Sequence, residues 1–336
     1  MYEKILSKLL VRKNLEEEET YRIFKMILDG ELSEIKTAAF LTLLRVKGEQ
    51  PKEITGASKL LRDKCLRLNV KKRKIADTCG TGGDGSGTFN ISTASAILAS
   101  CFGITIAKHG NRSITSKCGS ADVMEALGYK IDLEPERSKK MLEEINFAFL
   151  YAPLYHKAMK NVSGVRKELG FRTIFNILGP LCNPCGTDIQ IMGVSNYNLL
   201  KILPYVFKNL GIRGYIFFGE DGIDEITLTG KTYVVEVGKD RIEEFEVYPQ
   251  SFGLKRCKIE DIKGGDAEEN AEIIKNIMRG KEKGAKRDIV LLNTAALLIA
   301  AGKAKRFDEG IEMCKEVIKS GKSYRKLCEI IEYVNR

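Results

Sequence analysis

The residues best suited to chemistry lie in a glycine-rich stretch that ends the first quarter of the chain. Five glycines fall between Gly80 and Gly87, after a β-like run at 74–78 and before a helix-like run that begins near Asn90. Glycines let the backbone approach a ligand closely, and amides at a helix start attract anions. The Walker pattern is absent and the Rossmann fingerprint is only loosely matched. The stretch therefore predicts an anion site without naming its ligand.

A second donor-rich segment follows the next β-like run, Ile104 to Ala107. Residues 108–117 contain three cationic and three hydroxyl side chains, and Gly119 and Ser120 come just before another helix. Turns that follow strands of a parallel sheet lie at the same edge of that sheet, where open α/β sheets bind ligands. We therefore expect both segments to form one site for a highly charged phosphate ligand.

The elements that would position this site indicate an α/β fold. Residues 1–70 show apolar residues at helical spacing and no chemical constellation, which predicts an all-helical block. From about residue 71, β-like and helix-like runs alternate, which predicts a parallel-centred sheet flanked by helices. We expect a helix over 172–181 that is broken at Gly179-Pro180, and antiparallel hairpins over 226–247.

Composition excludes several classes of protein. No apolar run approaches the roughly 18 residues of a membrane span, and the charged N-terminus does not resemble a signal peptide. Nine cysteines without paired metal-ligand spacing suggest reduced thiols, so we expect a cytoplasmic protein. The net charge is +10, with a basic run at 59–74, but aromatic residues hardly interleave with it. The composition therefore argues against nucleic-acid binding, and a solvated helix end or mild steering of an anionic substrate explains the run better.

Several strings together resemble the anthranilate phosphoribosyltransferases. They are GTGGD, FNISTAS, KHGNR followed by GSADVMEALG, and RTIFNILGPLCNP, and the resemblance spans about residues 75–230. KHGNR-like and GSADVLEALG-like strings also occur in pyrimidine nucleoside phosphorylases, which share the fold. The resemblance implies a large α/β domain with a parallel-centred sheet plus a small all-helical N-terminal domain. It places the small domain at 1–70, joined by helices from about 158–190, and the phosphoribosyl-binding domain at 71–157 and 191–336.

The implied reaction transfers a phosphoribosyl group from 5-phosphoribosyl 1-pyrophosphate to anthranilate, in tryptophan biosynthesis, by a homodimeric enzyme. The residues that match the family's donor site belong to the two turns and the helix start between them. They are Gly80, Gly83, Asp84, Thr88, Asn90, Ile91, Ser92, Thr93, Lys108, His109, Gly110, Asn111, Arg112, Ser113, Ile114, Thr115, Ser116 and Ser120.

The resemblance also implies a metal site and an acceptor site. Asp224 and Glu225 match the family's acidic pair and Ser92 its hydroxyl ligand, so two Mg²⁺ ions are expected with the pyrophosphate. Gly80, Asn111 and Arg166 would bind anthranilate, with the Arg166 guanidinium facing its carboxylate. Tyr155 and His156 are either pocket residues or packing residues. An aromatic amine is already nucleophilic, so no strong general base is demanded.

Two other functions stay open from the sequence. A nucleoside phosphorylase on the same scaffold would use inorganic phosphate and need no acidic pair, so Asp224-Glu225 and GTGGD argue against it. A non-catalytic nucleic-acid-binding paralogue would fit the net charge of +10, but it should have lost part of the donor or metal set.

Overall fold

The N-terminal block is helical. The computed structural model of the chain describes residues 1–71, 74–113 and 117–336. The first four helices are α1 (Tyr2–Leu10), α2 (Glu17–Leu28), α3 (Glu34–Lys47) and α4 (Pro51–Lys64). Local chemistry explains where two of these helices begin. Ser33 Oγ accepts a hydrogen bond from the Lys36 amide at the start of α3, and a proline opens α4.

A mixed sheet forms the centre of the fold. Within the described residues its strands are β1 (Ile75–Gly80), β2 (Thr105–Gly110), β3 (Phe147–Tyr151), β4 (Ile189–Gly193), β5 (Arg213–Gly219), β6 (Thr232–Val237) and β7 (Ile242–Val247). Their order is β3-β2-β1-β4-β5-β6-β7, with β1 to β5 parallel and β6 and β7 antiparallel. The chain reverses its direction of strand addition between β1 and β4, so the loops after these strands border a crevice at the carboxyl edge.

Helices cover both faces of the sheet. The remaining α-helices are α5 (Ile91–Ser100), α6 (Ser120–Ala126), α7 (Pro135–Ile145), α8 (Ala152–Tyr155), α9 (Lys160–Leu169), α10 (Phe175–Leu181), α11 (Leu203–Leu210), α12 (Ala267–Met278), α13 (Ala285–Ala300), α14 (Phe307–Lys319) and α15 (Lys322–Asn335). One hydrophobic core joins β1, β2 and β3 to α5, α6, α7 and α12 to α15. A second core joins α1 to α4 and α9 to α11 to sheet residues such as Met192 and Ile216. The helical block thus packs directly on the sheet, and none of the helices described here is long and apolar enough to cross a membrane.

The α/β class, the parallel centre and the N-terminal helical block are confirmed, but two local predictions are wrong. Helix α10 runs through Pro180 to Leu181, because the proline removes one helical hydrogen bond while Ile177, Leu178 and Leu181 pack in the second core. In the 226–247 segment, β6 and β7 form a hairpin, whereas residues 226–229 form no strand. Hydrogen bonds to Thr232 Oγ1 and Asn293 Oδ1 satisfy the amides of Thr227 and Ile226 instead of a neighbouring strand.

Candidate functional site

The turn after β1 requires glycine and offers unused backbone amides. Gly82, Gly83, Gly85 and Gly87 have φ between 66° and 71°, a region that favours glycine. The Gly82 amide donates to Asp224 Oδ2 at 2.6 Å. The amides of the other three glycines make no hydrogen bond with any part of the chain that the structure describes. The turn therefore presents several N–H donors in one short loop, as a bound phosphate needs.

Asp224 and Glu225 follow β5 and stand against this turn. A Cβ on Gly80 would overlap the Asp224 carboxylate, and one on Gly193 would overlap the Asp224 backbone. Two glycines at the ends of β1 and β4 thus make room for Asp224. Burial raises the pKa of both carboxyl groups, and the charge of Asp84 near Asp224 raises it further. A cation at this position would offset the repulsion.

Lys108 is a buried cation between strands. It is 2% exposed, and its Nζ donates to the Thr78 carbonyl at 2.6 Å and to Ser92 Oγ at 3.3 Å. Its positive charge lowers the pKa of the neighbouring Glu225 and Asp77 carboxyl groups against the larger effect of burial. The ammonium is thus held by the protein itself, close to the hydroxyl and the carboxylate expected to bind metal.

The start of α5 lies between the two turns. The Ser92 amide faces the Glu225 carboxylate and lowers its pKa against the larger effect of burial. The Asn90 side chain is engaged elsewhere, because Nδ2 donates to the Cys118 carbonyl and Oδ1 accepts from Asn270 Nδ2. Of the neighbouring predicted residues, Thr88 pairs with Lys263 in an isolated bridge, while the side chains of Ile91 and Thr93 are buried.

The second turn, after β2, is folded onto α6. The Asn111 carbonyl accepts the amide of Ala121 at 3.1 Å and the Ser120 hydroxyl at 3.3 Å. Arg112 forms ion pairs with Asp122 and Glu125 on α6. The predicted residues on either side are also in contact with the protein, since Ser113 N donates to Asp122 and Gly110 lies against Ser120 and Phe149. Ile114, Thr115 and Ser116 lie outside the described residues.

These contacts join the residues into one region, which we call the donor cleft. It lies at the carboxyl edge of the sheet and is bounded by residues 80–84, Ser92, Lys108 and residues 224–225. The structure thus brings together the first turn, the helix start, the buried lysine and the acidic pair. In the second turn, the Arg112 side chain and the backbone of Asn111 and Ser113 contact α6, and the contact of these residues with a ligand stays a prediction.

Arg166 lies on α9, on the helical side of the sheet. Its guanidinium packs 5.4 Å from the ring centre of Phe175, and burial lowers its pKa below the ordinary value. No hydrogen bond or ion pair joins it to any other described residue, so its donors are available for a planar carboxylate.

The two histidines of the chain lie together near this helix. The His109 and His156 rings are 5.1 Å apart, and neither Nε2 atom has a hydrogen-bond partner within the described ranges. Burial lowers the pKa of His109 to about 3 and that of His156 to about 4. The charges of His156 and Lys108 lower the pKa of His109 further. With these pKa values, both rings are neutral at pH 7. His109 was predicted on the donor side, and its ring faces His156.

Several residues that hold the donor side of the site were not assigned to it from the sequence. Asn183 Nδ2 donates to Asp77 Oδ2 at 2.9 Å and to the Ala107 carbonyl at 2.7 Å, which ties three segments below the donor cleft. Asp77, whose pKa burial raises to about 6, supplies a negative charge near Lys108. Ser195 and Arg172 bind the glycine turn from outside. Asn183 and Arg172 lie in the GPLCNP and RTIFN strings, which is the signal that could have found them.

The acidic pair can accommodate a divalent cation with help from a ligand. No group of three or more His, Cys, Asp or Glu side chains in the described residues is arranged to hold a metal ion alone. Mg²⁺ usually takes one or two carboxylates and completes its shell with waters and substrate phosphates. The crowded carboxylates of Asp224 and Glu225, beside the Ser92 hydroxyl, fit that pattern.

Comparisons with known proteins agree with this fold and site. The family model "Glycosyl transferase family, a/b domain" matches residues 72–324, and the corresponding helical bundle domain matches residues 3–65. The anthranilate phosphoribosyltransferase of Acetivibrio thermocellus is 48% identical over all of this chain and 97% of that protein. The enzyme of Methanobrevibacter smithii is 47% identical over the full length of both.

Solved structures give the same result. The crystal structure of anthranilate phosphoribosyltransferase from Thermus thermophilus is 40% identical and covers 99% of each chain, with a TM-score of 0.94. The Saccharomyces cerevisiae enzyme in complex with PRPP and Mg is 30% identical, with a TM-score of 0.92 over 99% of this chain and 98% of that one. The chain therefore belongs to the anthranilate phosphoribosyltransferase family of glycosyl transferases.

Proposed function

We propose that this protein transfers the phosphoribosyl group of 5-phosphoribosyl 1-pyrophosphate to anthranilate, giving N-(5-phosphoribosyl)anthranilate and pyrophosphate in tryptophan biosynthesis. The observation that carries the proposal is the donor cleft, where glycine amides, Lys108 and the Asp224-Glu225 pair meet at one sheet edge. Full-length relatives with this activity in their names support it, and a yeast relative has been solved with PRPP and Mg.

The donor residues act by holding charge in place. Amides of Gly83 and Gly85 and the start of α5 are suited to cradle phosphate oxygens. In the reaction the C1–O bond to pyrophosphate breaks, the anthranilate nitrogen bonds to C1, and the amine then loses one proton. Positive charge at C1 and negative charge on pyrophosphate both develop, so fixed dipoles and charges supply most of the rate.

Mg²⁺ belongs to the proposed site, held by Asp224, Glu225 and Ser92 together with phosphate oxygens. Bound Mg²⁺ would supply positive charge that offsets the negative charge developing on pyrophosphate. We propose two ions, because pyrophosphate offers oxygens on both phosphorus atoms and the carboxylates and the hydroxyl lie on different elements.

Arg166 and the neutral histidine pair support the acceptor side. A half-buried guanidinium that stacks on Phe175 and has no partner among the described residues suits the carboxylate of anthranilate. The two uncharged imidazoles, near the start of α9, add no positive charge to this side of the site. Gly80 and Asn111 would complete the pocket, and a yeast relative has been solved with 4-fluoroanthranilate.

One assay tests the proposal directly. The protein is mixed with phosphoribosyl pyrophosphate, Mg²⁺ and anthranilate, and the loss of anthranilate fluorescence is followed. We expect turnover that stops when Mg²⁺ is chelated or the donor is omitted. Release of base from uridine or thymidine with inorganic phosphate, without anthranilate turnover, would instead identify a nucleoside phosphorylase. Salt-dependent retention on DNA without either turnover would identify a nucleic-acid-binding paralogue.

We also propose a homodimer formed through the small helical domain. Residues Ile35 and Val46 on α3 are 83% and 63% exposed, and Leu10 and Val11 at the end of the neighbouring α1 are each 65% exposed. Exposed large apolar side chains grouped on adjacent helices are typical of an interface. The division into a domain of 1–70 with the helices of 158–190, and a second domain of 71–157 and 191–336, belongs to this proposal, as does a cytoplasmic location.

A further inference from the structure

The glycine turn after β1 is held from outside by an arginine of the helical side. Arg172 lies in the loop between α9 and α10, and its Nη2 donates to the Thr81 carbonyl at 3.0 Å while Nη1 donates to the Gly82 carbonyl. A Cβ on Gly83 would overlap this guanidinium. The arginine thus lies against three consecutive residues of the turn.

Other elements bind the same peptide groups. Ser195 Oγ donates to the Gly82 carbonyl at 3.1 Å, and the Thr81 amide donates to the Gly193 carbonyl at 2.9 Å. The Gly82 amide donates to Asp224 Oδ2. Every backbone polar atom of Thr81 and Gly82 is therefore used, whereas the amide of Gly83 remains unused within the described residues.

The turn thus has two parts: Thr81 and Gly82 are held by hydrogen bonds to the protein, and the Gly83 amide is available to a ligand. A loop with four glycines at positive φ loses much entropy when it is fixed for a ligand. Bidentate donation to two successive carbonyls fixes the peptide planes at 81–82 and 82–83, and the second of these planes carries the Gly83 amide. The conformation of this donor is thus set before any ligand arrives.

We infer that Arg172 is a positioning residue for the phosphoribosyl donor, which fixes the glycine turn so that its free amides receive the phosphate oxygens. The inference rests on the proposed function and extends it, because no residue of the RTIFN string, 172–176, was assigned to the donor site. Among the described residues, Arg172 contacts the glycine turn and not Arg166, the proposed anthranilate-binding residue. Its removal should therefore affect donor binding more than acceptor binding.

The test measures donor binding and kinetics separately in Arg172→Gln and Arg172→Lys. Calorimetric titration with phosphoribosyl pyrophosphate and Mg²⁺ needs no acceptor, and KM for each substrate is then measured in the fluorescence assay. Two charge-assisted hydrogen bonds are lost in Arg172→Gln, so we expect donor Kd and KM to rise about ten-fold or more. The KM for anthranilate should change less than about three-fold by the same reasoning.

Two further variants make the result specific. Lys167→Gln removes a charge from an exposed position five residues earlier and should leave both KM values unchanged. Ser195→Ala removes one hydrogen bond to the Gly82 carbonyl, made from the segment after β4. It should also raise the KM for the phosphoribosyl donor, but by less than Arg172→Gln. Arg172→Lys should be intermediate, because an ammonium cannot span two carbonyls as a guanidinium does.

Each outcome decides the matter. An unchanged donor Kd in Arg172→Gln would overturn the inference while leaving the proposed function intact. A larger rise in KM for anthranilate than in KM for the donor would do the same. If Arg172→Gln fails to fold, as judged by its melting temperature, Arg172→Lys and Ser195→Ala are folded alternatives, and normal donor binding in both would overturn it. A wild-type protein that binds no phosphoribosyl pyrophosphate would refute the proposed function itself.

Discussion

The buried histidine pair predicts a specific dependence of stability on pH. His109 and His156 are the 2 histidines of the chain, so no other imidazole contributes to the measurement. Burial lowers both folded-state pKa values from the ordinary 6.5, to about 3 and about 4. The unfolded chain therefore takes up protons below pH 6.5 that the folded protein does not accept until pH 4. Stability contributed by the neutral rings is lost as pH falls through this window.

The magnitude follows from the pKa difference. Each pH unit below 6.5 favours the protonated unfolded state by about 1.36 kcal/mol per histidine, until the folded-state pKa is reached. Between pH 7.5 and pH 5.0 this amounts to about 2 kcal/mol for His156. The ring of His156 is partly exposed, so this value is an upper limit.

The assay compares variants rather than absolute values. The free energy of unfolding in urea is measured at pH 7.5 and 5.0 for wild type, His156→Gln and the control Lys157→Gln, an exposed neighbour. Buried carboxyls such as Asp77, with a raised pKa, change stability in the opposite direction, but they are common to all three proteins. His156→Gln should lose about 2 kcal/mol less than wild type on acidification, and Lys157→Gln should match wild type.

A direct measurement completes the test. With ¹³C-labelled histidine, the protein gives two imidazole signals, and His156→Gln assigns them. Neither signal should titrate above about pH 5. Titration of either ring near pH 6.5, or an equal loss of stability in His156→Gln and wild type, would show that the pair is not held neutral by burial.

Three further predictions concern the active site and assembly. Asp224→Asn combined with Glu225→Gln should reduce Mg²⁺-dependent turnover by about 100-fold or more, and near-normal rates would remove the pair from the metal site. Arg166→Ala should raise the anthranilate KM by about ten-fold or more with little change for the donor, and an equal rise for both would contradict its role. Ile35→Asp with Val46→Asp should convert a dimer to monomers by light scattering, because two charges would be buried, whereas an unchanged mass would place the interface elsewhere.

Local sequence patterns predicted the elements near the donor cleft with little ambiguity. The strand before Gly80, the helix after Asn90 and the strand that begins near Ile104 were all predicted, because apolar runs and glycine punctuation are local properties. Helix α10 was mispredicted at Pro180 because local propensity favours a break, whereas packing in the second core holds the helix. Propensity is a weak guide where tertiary burial opposes it.

Side-chain partners were much harder to predict than elements. Lys108 is predicted to contact an anionic ligand oxygen, which stays a prediction, but its contacts with the Thr78 carbonyl and Ser92 Oγ were not predicted. Arg112 was expected on the donor side, and in the structure it pairs with Asp122 and Glu125 on α6. Lys108 contacts Thr78 because β2 lies beside β1, and Arg112 contacts Asp122 and Glu125 because the second turn folds back on α6. No single-sequence pattern encodes either contact.

The sequence alone determined that the turn after β1 can adopt positive φ at Gly82, Gly83, Gly85 and Gly87 and present amide donors, because these properties need only glycine and a helix start. Only the tertiary structure decided that Arg172 and Asp224 reach the same turn, because they follow different elements separated from it by about ninety and about 140 residues. Contacts over such separations depend on how the sheet orders its strands and on how the helical block packs against them.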